Sequence, residues 1–265
     1  MTCTRSYADD LQLALDLADL ADDLTLARFR ADDLLVESKP DLTPVSDADR
    51  LVEDQIRTRL SQARPTDAII GEERGSFGAS SRMWVIDPID GTRNFIRGVP
   101  VWATLIALID EKQPVVGVVS APALQRRWWA AQDLGAWMSS RGGFPERLSV
   151  SRISRVEDAF VSYSSLHGWD SIGLDAEMCD VLKRAWYTRA YGDFWSYMLV
   201  AEGAVDIACE PELALHDMAA LVPIVREAGG VFTSVHGVEG PWGGSALAAN
   251  PLLHTCVQNI FLHRE

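Results

Sequence analysis

The 265-residue sequence predicts a mixed α/β protein whose first half is α+β and whose second half is α/β. Three observations predict it. Residues 7–63 hold two stretches with apolar residues at three- and four-residue spacing, residues 68–138 are a succession of short β-rich runs, and after residue 145 strand-like and helix-like stretches alternate. With 48% hydrophobic and 23% charged residues, 9 Trp and 8 Phe, the chain can bury a large core and is not of disordered composition.

The first helix is expected from Tyr7 to Phe29, where Leu11, Leu15, Ala18 and Ala21 recur on one face and Asp9, Asp16, Asp19 and Asp23 form a solvated one. Pro40 and Pro44 prevent helix continuation, so Lys39–Pro44 is expected as a loop. Ser46 with Asp49 three residues on reads as a capping-box start, which puts Asp47 in the first turn of a second helix with Leu51, Val52, Ile56 and Leu60 as its buried stripe. Strands are expected at Ala68–Ile70, Met83–Ile86, Trp102–Ile109, Val115–Val119, Trp128–Ala131 and Ala136–Met138, with a hairpin turn at Asp110–Pro114. The loop Arg141–Pro145 divides an N-terminal half, 1–143, from a C-terminal half, 144–265, within one compact unit. Beyond it, strands are expected at Ala159–Tyr163, Trp186–Arg189, Val205–Cys209, Val231–Thr233 and Ala246–Ala249. Helices are expected at Asp175–Arg184, Asp193–Glu202, His216–Ala228 and Pro251–Phe261, with Gly203 and Gly229 as stops.

Charge narrows the function. The chain carries 24 Lys plus Arg against 38 Asp plus Glu, a net of -14, and its densest cationic spot is Arg126-Arg127, so it is not expected to neutralise nucleic-acid phosphates. No run approaches the about 18 apolar residues that span a bilayer. Only Arg5 precedes the acidic N-terminal stretch, which lacks the pattern of a secretory signal, so a cytoplasmic protein is expected. Cys3, Cys179, Cys209 and Cys256 form no CxxC pair and read as free thiols.

The chemistry concentrates in Asp87-Pro88-Ile89-Asp90-Gly91-Thr92-Arg93-Asn94-Phe95. An apolar strand ends in one carboxylate and a second follows three residues later; two carboxylates this close repel unless a cation lies between them, and hard divalent ions take such oxygen ligands. Pro88 fixes its own φ and helps aim the Ile89 carbonyl. Gly91 lets backbone approach an anion, and Thr92 opens a helix whose N-terminus favours phosphate. Asp-Pro and Asp-Gly are common turn formers, so either alone would mean little. There is no P-loop and no GxGxxG, and a phospho-aspartate mechanism, which needs carboxylates at i and i+2, is disfavoured because Pro88 stands between. Gly71-Glu72-Glu73 ends another apolar strand, and Leu215-His216-Asp217 starts a helix with an acid.

These strings, with Thr43–Asp49 and Glu227-Ala228-Gly229-Gly230, occur in the order and at about the spacing of the inositol monophosphatase-like family of Mg²⁺-dependent, lithium-sensitive phosphatases, which the chain resembles over nearly its whole length. The resemblance implies a layered α-β-α-β-α sandwich of the inositol monophosphatase/fructose-1,6-bisphosphatase type. It implies two to three Mg²⁺ ions, one held by Glu72, Asp87 and the Ile89 carbonyl and a second by Asp87, Asp90 and Asp217, with a third near Glu72. Gly91 and Thr92 would receive phosphate. Asp47, Thr92 and Glu72 are the implied catalytic residues, Thr92 with Asp47 deprotonating a metal-activated water for in-line attack. A homodimer is implied as well. The chain departs from the family at His216, where Trp is usual, and at Leu221, where a small residue is usual; His216 is expected to be packed or exposed beside the site rather than a metal ligand.

The substrate segment Arg189–Tyr197 has Asp193, Phe194 and Trp195 where most members have small residues. A carboxylate beside aromatic rings favours a cationic or heteroaromatic leaving group. With Ser120–Trp129, this segment resembles the bacterial histidinol-phosphate phosphatases of the family, which act in histidine biosynthesis, and implies that Asp193 and Glu210 bind the amine and imidazole. Asp90, Arg189, Asp193, Phe194, Glu210 and Asp217 are the expected substrate contacts. Phe194 and Trp195 could equally be helix packing and Asp193 a cap. Inositol monophosphate, 3'-phosphoadenosine 5'-phosphate and an inactive binding or scaffold protein are the other readings.

Overall fold

A computed structural model describes residues 6–40 and 42–263 of the chain. The residues before Ser6, including Cys3 and Arg5, and Asp41 of the proline loop, lie outside the described residues.

Helix α1 (Ala8–Arg28) buries Ala14, Leu17, Ala18 and Ala21, and the three alanines bring it close to the sheet beneath. A hairpin follows, β1 (Val36–Ser38) and β2 (Pro44–Ser46), closed by Lys39 N–H donating to the Thr43 carbonyl. The prolines that exclude helix here therefore flank strands as well as a turn. Helix α2 (Asp47–Ala63) starts on the expected capping box: Asp49 Oδ2 accepts from Ser46 N at 2.8 Å and from Ser46 Oγ at 2.6 Å. Its buried stripe is Ala48, Asp49, Val52, Glu53, Ile56 and Leu60, while Leu51, expected inside, is exposed.

The large sheet takes in β3 (Ala68–Gly71), β4 (Gly75–Phe77), β5 (Arg82–Asp90), β6 (Ala103–Asp110), β7 (Gln113–Ala121), β8 (Arg126–Ala131), β9 (Gly135–Ser140) and β10 (Glu146–Arg147). Its order is β10-β9-β8-β7-β6-β5-β3-β4, antiparallel except for β3 with β5. The division expected at 143/144 falls in the loop between β9 and β10 of this sheet. Strands β5 and β6 are almost continuously apolar because both faces are covered. Ile106 and Leu108 pack under α1 and α2, and Leu105, Ala107 and Ile109 pack on the opposite side.

The second sheet has β11 (Phe160–Ser162), β12 (Tyr187–Arg189), β13 (Ile207–Glu210), β14 (Val231–Thr233) and β15 (Ala246–Ala249) in the order β12-β11-β13-β15-β14. Helices α5 (Asp193–Ala201), α6 (Leu215–Ala219) and α7 (Leu221–Glu227) lie between the sheets, and α4 (Asp175–Arg184) and α8 (Pro251–Phe261) cover the far face. A short helix, α3 (Thr92–Ile96), follows β5. The layers run α-β-α-β-α, as the resemblance implies. The single helix expected over 216–228 is broken at Ala220, because Pro223 has no N–H for the Ala219 carbonyl. Among the described residues no helix is long and apolar enough to cross a membrane, and Cys179, Cys209 and Cys256 are free thiols.

Candidate active site

The acidic residues converge at the ends of β3 and β5 and the starts of α5 and α6. Along a regular strand, positions three apart face opposite ways. The pairing of β5 with β6 shifts between Asp87 and Asp90: Asp87 faces Leu105 and Asp90 faces Ala103, so β5 spends one residue more than its partner. This bulge, at Pro88-Ile89, turns both carboxylates to one side. Thr104 anchors it by donating to the Pro88 carbonyl at 2.7 Å.

Two groups of donor atoms able to hold a metal ion result. Asp87, Asp90 and Asp217 form one and Glu72, Asp87 and His216 the other, with the atoms of each group within 4.8 Å of one another. Asp87 is common to both. Glu72 follows β3, its N–H bonded to the Ile86 carbonyl at 3.2 Å. The adjacent turn is held by buried Glu53, which accepts from Glu73 N at 2.7 Å and Arg74 N at 3.0 Å. Gly71 has no alternative, since a Cβ there would collide with the Glu53 carboxylate. Asp217 sits in the first turn of α6 and accepts from Ala214 N at 2.7 Å.

Four carboxylates brought together out of water are costly in their charged form. Burial, and then Glu72, Asp90 and Asp217, raise Asp87 well above the usual carboxylate range; burial, Asp193 and Asp217 do the same to Asp90. Asp87 Oδ1 is buried with no hydrogen-bond partner. An orphaned buried oxygen among mutually repelling carboxylates fits a divalent cation held through oxygen ligands. Lys39, on the β1–β2 turn, reaches in: its Nζ is 2.7 Å from Glu72 Oε1 and 2.5 Å from Glu73 Oε1. Burial would lower this ammonium's pKa, but its bonds to Glu72 and Glu73 outweigh that and raise it.

Gly91, at φ 84°, lets the chain leave β5 into α3, and the Val101 carbonyl would lie 3.0 Å from a Cβ placed there. The Thr92 hydroxyl lies 2.9 Å from the Ile89 carbonyl and 3.3 Å from Asp49 Oδ1. This corrects the expected pairing of Thr92 with Asp47. Residues two apart on a helix point in nearly opposite directions, and Asp47 instead pairs with Arg28 at 2.7 Å. Buried Asp49, raised by desolvation to about 6 against the opposing Ser46 bonds, was legible as a capping residue; its second role was not.

The start of α5 contributes Asp193, in the left-handed region at φ 50°. Asn94 Nδ2 donates to Asp193 Oδ2 at 3.2 Å, and Phe194 N–H donates to Asp90 Oδ2 at 2.7 Å. Burial and then Asp217 raise Asp193 to about 6; burial raises Glu210, at the end of β13, to about 8, with Asp193 adding to it. Glu210 Oε1 is buried and unpartnered.

Two expected substrate contacts stand elsewhere. Phe194 is 1% exposed, its ring 6.1 Å from that of Trp128 in the core between the sheets, so it serves the site through its backbone only. Arg189 stacks on Tyr187 at 4.1 Å and bonds the Thr188 carbonyl on edge strand β12, outside the acidic cluster. Leu221 is buried in the intersheet core, and His216, expected beside the site, has its ring within the Glu72–Asp87 ligand group.

Comparison with known proteins shows relatives along nearly the whole chain. The sequence profile of the inositol monophosphatase family matches residues 8–260. The chain is 58% identical over 247 residues to a histidinol-phosphatase of Mycobacterium tuberculosis, covering 93% of this chain and 95% of that one. It is 57% identical over 252 residues to a histidinol-phosphatase of Streptomyces coelicolor, covering 94% and 95%. Among solved structures, an inositol monophosphatase from Zymomonas mobilis superposes with a TM-score of 0.85 at 33% identity, covering 97% of this chain and 99% of the other. The chain belongs to the inositol monophosphatase family.

Proposed function

We propose that the protein hydrolyses L-histidinol phosphate to L-histidinol and phosphate, with Mg²⁺ held by Glu72, Asp87, the Ile89 carbonyl, Asp90 and Asp217. When bound, the ions would neutralise charge on the phosphoryl group and acidify water at the site. The chain's own residues supply the rest. Gly91 and Thr92 offer backbone N–H groups to the phosphate. Asp49, held through Oδ2 by Ser46, has Oδ1 directed at the Thr92 hydroxyl. A proton leaving the attacking water can pass through Thr92 to Asp49, whose pKa of about 6 suits a general base near neutral pH. As the bond between phosphorus and the histidinol oxygen breaks, that oxygen takes up a proton.

The observation that carries the substrate is the pair Asp193 and Glu210. Both stand outside the two ligand groups, Glu210 buried and Asp193 part-buried; neither has a cationic side chain bonded to it, although Arg93 lowers Asp193 from a distance, and each raises or is raised by its acidic neighbours. A leaving group bearing an ammonium and an imidazole would relieve that repulsion, whereas a neutral polyol would not. The similarity to two histidinol-phosphatases supports the same substrate. The test is kcat/KM of Asp193→Asn and Glu210→Gln on histidinol phosphate and on a neutral phosphate monoester. Loss is expected mainly on histidinol phosphate, by about 10- to 100-fold for each lost charge-assisted contact; equal loss on both esters would assign these residues to structure or metal binding instead.

A further inference from the structure

Adjacent residues on a helix diverge by about 100°, and at the start of α6 that divergence divides two neighbours between two ligand groups. Asp217 joins Asp87 and Asp90, while His216 joins Glu72 and Asp87. His216 Nε2 and Asp217 Oδ1 are 3.6 Å apart, too far for a hydrogen bond and close enough to serve neighbouring ions that share Asp87. The ring is neither exposed side chain nor core packing: it is part-buried, with a nitrogen within 4.8 Å of carboxylate oxygens from two other elements. Among the described residues, no other histidine shares such a group with carboxylates.

We propose that His216 is a nitrogen ligand of the ion at Glu72 and Asp87, and that it biases this position toward Mn²⁺ over Mg²⁺. This rests on the reading of the acidic cluster as a metal centre. Mg²⁺ favours an all-oxygen, octahedral shell, whereas imidazole suits first-row transition ions, and Mn²⁺ accepts carboxylate and imidazole together. The neighbouring position, with Asp87, Asp90 and Asp217, has oxygen donors only and no such bias. The two ions would then differ in kind, the Glu72 position being the more selective.

The experiment loads the metal-free full-length protein with Mn²⁺ and records pulsed EPR, which detects ¹⁴N coupling from a directly bound imidazole, alongside calorimetric titrations with Mn²⁺ and with Mg²⁺. The wild type should show nitrogen coupling that changes when histidine is supplied as ¹⁵N-histidine, an assignment that needs no substitution. His216→Ala and His216→Asn should lose the coupling and weaken Mn²⁺ binding by about 10- to 100-fold, with the Mn²⁺/Mg²⁺ preference falling by a similar factor. Mn²⁺ bound without nitrogen coupling, or coupling that survives both substitutions, would overturn the assignment of His216 while leaving the metal centre in place. Failure of the wild type to bind either ion, or binding indifferent to Asp90→Asn, would overturn the metal centre itself.

Discussion

Asp47 and Asp49 lie two positions apart in the first turn of α2, and the chemistry separates them completely. Asp49 is buried, capped by Ser46 and directed at Thr92, while Asp47 faces Arg28. Asp49→Asn is therefore expected to lower kcat by about 100- to 10,000-fold, the usual contribution of a positioned base. Asp47→Asn, which loses a partly exposed ion pair, should cost far less. Steady-state kinetics on the two variants decide between them, and the reverse ranking would restore Asp47. Asp90→Asn should abolish hydrolysis with the fold retained, because it removes a negative charge from the proposed metal ligands while the amide oxygen can still accept from Phe194 N–H; normal turnover by a metal-loaded variant would remove Asp90 from the site. The carboxylates Glu72, Asp87, Asp90 and Asp217 were readable in the sequence because each lies inside a distinctive string beside an apolar strand or at the start of a helix. Asp49 was hidden because its capping role already explained it, and His216 because a motif departure gives no direction to the side chain.

The elements were legible where periodicity is strong and illegible where tertiary contacts decide. Both long N-terminal helices, the central strands and the alternation after residue 145 follow from spacing. The β1–β2 hairpin does not, since its strands are three residues each and the prolines around it argue equally for any non-helical path. Nor could spacing show the bulge at Pro88-Ile89, which reorients Asp90 and is visible only in the pairing with β6. The contact between the large sheet and α6–α7 is equally hidden. Gly117 of β7 sits under the Ala220 carbonyl and Pro223, and a Cβ there would collide with both. Gly117→Ala is expected to destabilise the protein by about 1–3 kcal/mol through overpacking. It should also weaken metal binding, because displacing Ala220 moves the helix that presents His216 and Asp217. Chemical denaturation with a parallel metal titration checks this; an unchanged midpoint and metal affinity would show that the junction yields freely.

For the molecule as a whole, the layered sandwich concentrates negative charge at one point and leaves it there. Asp49 and Asp193 titrate at about 6 and Glu210 at about 8, all above their ordinary values, mainly through burial. Between the unfolded and folded pKa values the native state binds more protons than the unfolded chain, so these groups make stability fall as pH rises. The metal-free protein should therefore melt at lower temperature near pH 8 than near pH 5.5. Saturating divalent metal should flatten that dependence and add about 2.7 kcal/mol at a hundredfold excess over Kd. A metal-free melting temperature that climbs over this range would contradict the charge-loaded site. The same concentration of charge makes the central claim directly measurable through phosphate release, with Mg²⁺ and with excess chelator, from L-histidinol phosphate, inositol monophosphate and 3'-phosphoadenosine 5'-phosphate side by side. Metal-dependent turnover strongly favouring histidinol phosphate is the expected result; chelator-resistant turnover, or preference for either of the other esters, would contradict it.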